Sequence, residues 1–218
     1  MNVGIIGAGR IGGNCARQLV RAGHDVLVSA SRDPEALRAT AAELGARAGT
    51  AADAVAFGDV VIFAVPWTAV EPALAEAGPL DGKVVIDTTN QFGRGGWEDL
   101  GCRTAAQVNA ARMTGARYTK CFNTLTAGFQ AEAATRQGAD RVVQWLCGDD
   151  GEAKQIVSRL VADMGYVPVD VGGTATCQVM EAPRRPGAVY GEEYRVHDVD
   201  AVLDAVRAGQ PIPPPPGY

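Results

Sequence analysis

A doubly wound α/β fold on a largely parallel sheet is the class this sequence predicts, on three observations. Short continuous apolar runs alternate with helix-type segments through residues 2–89, the pattern of parallel strands covered on both faces. A glycine-rich turn follows the first of these runs directly and opens the first helix. Finally, 218 residues with 47% apolar and 21% charged side chains can bury one sizeable core plus a small annex, and that balance is globular rather than disordered.

The elements follow in order. Residues 2–7, NVGIIG, read as a buried strand that ends on a glycine. Residues 10–22 read as a helix in which Ile11, Cys15 and Leu19 are spaced to face the sheet, with Gly23 as its stop. HDVLVSA (24–30) is the second strand. DPEALRATAAEL (33–44) opens with Asp33 as N-cap, Pro34 at the first helical position and Glu35 in the first turn. Residues 48–58 hold a short strand and a short helix. DVVIFAV (59–65) is the fourth strand, closed by Pro66, and residues 68–77 form a helix that Pro72 can kink. KVVIDTT (83–89) is the fifth strand, and NQFGRGGWEDLG (90–101) reads as a loop. Beyond it the expectations are a helix over 103–113, strands over 116–122 and 141–148, a helix over 150–165, a strand over 166–173 and a helix around 198–207. PIPPPPGY (211–218) must be extended, because successive prolines donate no backbone hydrogen bonds. A soft boundary near residue 125 separates a cofactor-binding domain, 1–125, from a smaller α/β annex, 126–218, for substrate or dimer contacts.

The net charge of −5 argues against a general nucleic-acid binder, which needs a basic face. Five cysteines, none in a C-x-x-C pair, and two histidines supply too few suitably spaced ligands for a structural zinc site. An odd, scattered set of cysteines reads as reduced thiols in a cytoplasm. The N-terminus lacks a signal-peptide pattern, and no apolar run reaches the roughly 20 residues of a membrane helix. The expectation is a cytoplasmic protein with a small-molecule substrate and no membrane partner.

Gly7-Ala8-Gly9-Arg10-Ile11-Gly12 is G-x-G-x-x-G, placed between a strand and a helix as a dinucleotide-binding turn requires. Gly7 permits the tight turn, Gly9 lets backbone approach a pyrophosphate, and Gly12 lets the helix pack on the strand. Unpaired N–H groups at the helix start hold the anion, with Arg10 placed to assist. The fold is therefore Rossmann-type. The second strand ends near residue 30, which sets residues 29–32 beside the adenosine ribose. A carboxylate there would favour NAD, but this chain offers Ser31 and Arg32, a hydroxyl and a cationic fork suited to a 2′-phosphate. The cofactor expected is NADP.

The opening block, GIIGAGRIGGNCARQLVRAGHDVLVSASRDPEAL, resembles the start of the NADPH-dependent coenzyme F420 reductases, also called F420-dependent NADP oxidoreductases. Gly23-His24, the AVP of 64–66, the DTTN of 87–90, the KCFNTL of 120–125 and the GYVPVDVGG of 165–173 extend the resemblance over most of residues 1–173. It implies direct hydride exchange between nicotinamide and the deazaflavin of F420, and a homodimer. Val65 and Pro66 would line the nicotinamide side. Thr88, Thr89, Asn90, Asn123 and Thr124 would supply hydroxyl and amide contacts, with Asn123 foremost. Arg184 and Arg185 could hold an anionic tail.

Other acceptors stay open at this point. A carbonyl or imine substrate needs a proton donor, and Lys120, Tyr118 and Tyr190 are the candidates. A non-catalytic NADPH sensor, with the proline-rich end docked on a partner, is the third reading. Cys121, with no histidine beside it in sequence, reads as a buried apolar residue rather than a nucleophile.

Overall fold

The architecture comes from a computed structural model that describes residues 1–30 and 33–217. Its first half alternates strand and helix: β1 (Asn2–Ile6), α1 (Arg10–Arg21), β2 (Asp25–Ser29), α2 (Pro34–Leu44), β3 (Arg47–Gly49), α3 (Ala51–Phe57), β4 (Val60–Phe63), α4 (Val70–Ala77) and β5 (Val84–Asp87). A two-strand hairpin follows, β6 (Phe92–Gly93) and β7 (Gly96–Trp97). Then come α5 (Ala105–Arg112), β8 (Arg117–Lys120), α6 (Ala127–Ala133), β9 (Val143–Gly148), α7 (Gly151–Asp163), β10 (Val167–Asp170) and α8 (Val199–Ala208).

Eight strands form one sheet in the order β10-β9-β8-β5-β4-β1-β2-β3. Every neighbouring pair is parallel except β8 and β9, which run antiparallel. The chain winds outward from β1 to β3 and returns to β4 on the other side of β1, so the winding reverses between β1 and β4. In open α/β sheets a crevice for ligand opens at the carboxyl ends of the strands at such a point.

Alternation along each strand feeds two cores. Val3, Ile5 and Ile62 pack with Cys15 and Leu19 of α1 and with Leu37 and Leu44 of α2 on one face. Val61, Phe63 and Val85 pack with Ala54 of α3, Val70 of α4 and Ala106 of α5 on the other. Ile11 is only partly buried at the margin of the first core. Capping agrees with the residues: Asp33 accepts from the Glu35 and Ala36 N–H groups at 3.0 and 3.2 Å, and Thr50 and Asp53 close a reciprocal capping box on α3.

The structure departs from the sequence reading in four places. Residues 92–97 pair as a hairpin where a loop is expected, because Gly96 supplies the positive φ (+109°) that the reversal needs. α6 is an added helix, capped by Thr126. Cys147 and Cys177 form a disulfide that joins β9 to a 3₁₀ segment, Thr174–Met180, whereas reduced thiols are expected throughout. Two residues 30 positions apart meet only through the tertiary fold. Finally, the proline-rich end returns to its own chain: Ile212 is buried, its N–H bonds to the Gly187 carbonyl, and the Tyr194 hydroxyl donates to the Pro213 carbonyl at 2.8 Å.

The boundary expected near residue 125 falls just before α6. Beyond it β9 and β10 extend the same sheet, and the core on the α1 face includes Val157 and Leu160 of α7. No helix among the described residues is long and apolar enough to cross a membrane.

Candidate functional site

Two features position the glycine turn. Gly7 has a φ of +105°, and a Cβ there would lie 2.3 Å from the Ala64 carbonyl oxygen. A Cβ on Gly12 would sit 1.9 Å from the Gly7 oxygen. Both positions must be glycine for α1 to pack against the ends of β1 and β4. Gly9 is different: an added Cβ would meet nothing within 4 Å among the described residues, and its φ of −75° and ψ of −163° are open to any residue. The protein itself does not require glycine at position 9. An anion lying against this backbone does, and the space a Cβ would fill is the space that anion needs.

The turn opens into a cleft of about 410 Å³ lined by Gly7, Ala8, Gly9, Ala30, Val65 and Pro66, with Ala69, Pro72 and Glu76 farther along. No side chain caps the start of α1 and its first turn holds no acid, so N–H groups and the positive end of the helix dipole are left for an anion. Arg10 is exposed at this end. The residues fit a dinucleotide: an open turn for pyrophosphate and an apolar wall at Val65 and Pro66. Ser29 also lines the cleft, but its hydroxyl is buried and donates to the Ile5 carbonyl at 3.3 Å. Ser31 and Arg32 lie outside the described residues.

A second group lies at the ends of β5 and β8. Asn90 donates from Nδ2 to the Asn123 carbonyl at 2.8 Å, and Asn123 donates from Nδ2 to Asn90 Oδ1 at 3.1 Å and to the Met180 carbonyl at 2.6 Å. Asn123 Oδ1 and Thr124 Oγ1 are buried without a partner among the described residues. Buried acceptors of this kind are rare and call for a ligand or an ordered water. The preceding residue, Phe122, has a φ of +60° while fully buried, strain that turns the chain sharply out of β8 and sets Asn123 against Asn90. Thr88 does not join this pair, because its hydroxyl is buried and bonds to the Phe63 carbonyl at 3.4 Å.

Lys120 is corrected from a candidate proton donor to a buried structural cation. Its side chain is 0% exposed, and Nζ is held by Asp87 Oδ2 at 3.3 Å and by the Thr89 carbonyl at 2.6 Å. The in-register pairing of Asp87 with Lys120 on neighbouring strands places them together. Asp87 also accepts from the Thr89 N–H (2.8 Å), Asn109 Nδ2 (2.9 Å) and the Tyr118 hydroxyl (2.6 Å). Burial, then the Asp87 charge, push the Tyr118 phenol well above its ordinary pKa. Tyr118 is thus a fixed donor to Asp87 rather than a proton source for a substrate. Tyr118→Phe should cost about 1–2 kcal/mol of stability by leaving Asp87 one donor short, as measured by urea denaturation; no loss would mean that water replaces the hydroxyl.

Sequence reasoning missed Asp87, Asn109 and Glu181 as a framework. Glu181 is buried and accepts from the Ala105 and Ala106 N–H groups, at 2.8 and 2.7 Å, at the start of α5. α5 in turn carries Asn109 to Asp87. The one signal available was an acid ending the apolar run VVID. Arg184 and Arg185 are engaged within the chain: Arg184 pairs with Glu192 at 2.7 Å, while Arg185 donates to the carbonyls of Glu181, Pro183 and Gln178. Burial pushes the Cys121 thiol pKa up and that of Cys15 to about 12, so neither is a nucleophile at neutral pH.

The family described as NADP oxidoreductase, coenzyme F420-dependent, matches residues 2–91. The match covers β1 to β5, and so the whole glycine turn and the Val65–Pro66 wall. Metalloreductase STEAP3 of Rattus norvegicus is 31% identical over 181 residues, which are 83% of this chain and 36% of that protein. The chain thus spans about a third of the length of that relative. Among solved structures, the hypothetical protein SMa0349 of Sinorhizobium meliloti superposes with a TM-score of 0.80 at 28% identity, over 89% of this chain and 96% of that one. A reductive aminase of Aspergillus terreus in complex with NADPH and ethyl levulinate matches with a TM-score of 0.58 at 26% identity, over 80% and 55%. The likeness to NADP-dependent oxidoreductases is thus carried by residues 2–91.

Proposed function

We propose that this F420-type oxidoreductase binds NADPH in the cleft between β1 and β4 and exchanges a hydride with coenzyme F420, acting as a homodimer. The observation that carries the reading is the empty Cβ position at Gly9 between the two crowded glycines, Gly7 and Gly12. When bound, the dihydronicotinamide supplies the hydride. The chain's part is to hold and align. N–H groups at the start of α1 hold pyrophosphate, with Arg10 beside them, and Val65 and Pro66 form the wall for the nicotinamide. Asn123 Oδ1, unpartnered and buried, is the acceptor for a carboxamide or ribose donor. Ring-to-ring transfer depends on alignment and asks for no nucleophile.

The structural likeness to a reductive aminase favours a second reading, reduction of a small carbonyl or imine. That chemistry needs a proton donor, and two of the side chains suited to it, Lys120 and Tyr118, are buried and bonded to Asp87. The balance favours a ring acceptor that needs no such donor. Mixing protein, NADPH and oxidised F420 should bleach the deazaflavin absorbance. Oxidation of NADPH only when a carbonyl or imine compound is added would reverse the choice, and NADPH binding with no turnover by either acceptor would mark a sensor.

Selection of NADPH over NADH rests on Ser31 and Arg32. Arg32→Asp should weaken NADPH by about 1.5–3 kcal/mol, the loss of a charged contact to phosphate, and leave NADH far less affected. Equal losses in titrations with the two coenzymes would remove that assignment.

A further inference from the structure

We propose that Glu76 recognises the adenine base of the coenzyme: its carboxylate accepts a hydrogen bond from the exocyclic amino group, so the cleft selects adenine over purines with a carbonyl at that position. The inference rests on the NADPH-binding reading above and deepens it. Ala30, which lines the cleft, directly follows β2, and the end of that strand is the adenosine side of a dinucleotide turn. α4 and its cap supply a second wall. Ala69, Pro72, Ala73 and Glu76 all line the cleft, and their spacing of i, i+3, i+4 and i+7 sets them on one helix face.

The lining here is almost free of polar groups. Ala30, Ala51, Ala69, Pro72 and Ala73 are small and apolar, which leaves room for a flat purine but nothing to bond its edge. Ser29 has spent its hydroxyl on the Ile5 carbonyl. Among the described residues Glu76 is the one charged side chain lining the cleft, and it is exposed with no cation paired to it.

Charge and position assign its ligand. A carboxylate repels every phosphate of the coenzyme, so a neutral part of the molecule is what it can bind. Glu76 also lies two helical turns, about 10 Å, from the end of α4 that adjoins Pro66 and the nicotinamide wall. An ionised carboxylate only accepts hydrogen bonds. Adenine meets it with an amino donor. Hypoxanthine, the deaminated base, meets it with a carbonyl oxygen and sets two acceptors face to face.

Titrations with NADPH and with its hypoxanthine analogue, both read from dihydronicotinamide fluorescence, test this. The wild-type chain should bind the adenine form about tenfold more tightly. Glu76→Gln should bring the two affinities within about twofold, because an amide presents either an oxygen or an N–H to the base. Glu76→Lys, a donor only, should reverse the preference. The ratio of the two affinities is unmoved by damage to the site as a whole, and the urea midpoint of each variant should match the parent because Glu76 is exposed. If the wild-type chain binds both forms equally, or if Glu76→Gln keeps the parent's ratio, the Glu76 assignment falls and the NADPH reading stands. If neither form binds, the NADPH reading falls and takes the assignment with it.

Discussion

An alanine at position 9 is expected to weaken NADPH about 100-fold, roughly 2.7 kcal/mol, while costing under about 1 kcal/mol of stability. Among the described residues nothing opposes a methyl group there, so the clash expected is with the pyrophosphate. Alanine at position 12 should behave in the opposite way. Its Cβ would meet the Gly7 carbonyl oxygen at 1.9 Å, and neither backbone can move without shifting α1 from β1. Overpacking of this kind costs about 1–3 kcal/mol, and cofactor binding would fail as a consequence of the displaced helix. Differential scanning calorimetry and fluorescence titration of the two variants separate the cases. A Gly9→Ala protein that binds NADPH as tightly as the parent would remove the cofactor from this turn.

The second large effect concerns the buried pair. Lys120→Met should destabilise the chain by about 3–5 kcal/mol, because it leaves the Asp87 carboxylate fully buried without its cation. The double variant Asp87→Asn, Lys120→Met should recover much of that loss, since no uncompensated charge remains, and it should still bind NADPH. Urea denaturation of both, with the parent, gives the comparison. A single variant losing less than about 1 kcal/mol would show that Thr89, Asn109 and Tyr118 satisfy Asp87 by themselves.

What could be read from the sequence, and what could not, divides along range of interaction. β1, α1, β2 and α2 are legible because their signals are local: an apolar run, a glycine at the turn, and an Asp-Pro-Glu start. Gly7 and Gly12 are legible for the same reason, since their motif, in its strand–helix context, carries its own mechanics. Lys120 was not, because the sequence places it at a strand end, where a lysine usually reaches solvent. Only its register with Asp87, 33 residues away, buries it. Thr88 and Asn90 look equivalent in DTTN, yet one is spent on the Phe63 carbonyl and the other meets Asn123. The Cys147–Cys177 disulfide and the Glu181 cap join residues 30 and 75–76 positions apart, beyond any local window, whereas α6 carries a local signal, the Thr126 cap on the Phe129 N–H, that the sequence reading passed over.

The long-range Glu181 cap reaches into protein engineering. The carboxylate that starts α5 comes from residue 181, and the amide pair at position 123 is completed by a carbonyl at 180. The coenzyme half therefore cannot be lifted out at residue 125 and grafted elsewhere as a self-sufficient cassette: the excised fragment would lose a helix cap, a sheet neighbour and part of its own floor at once.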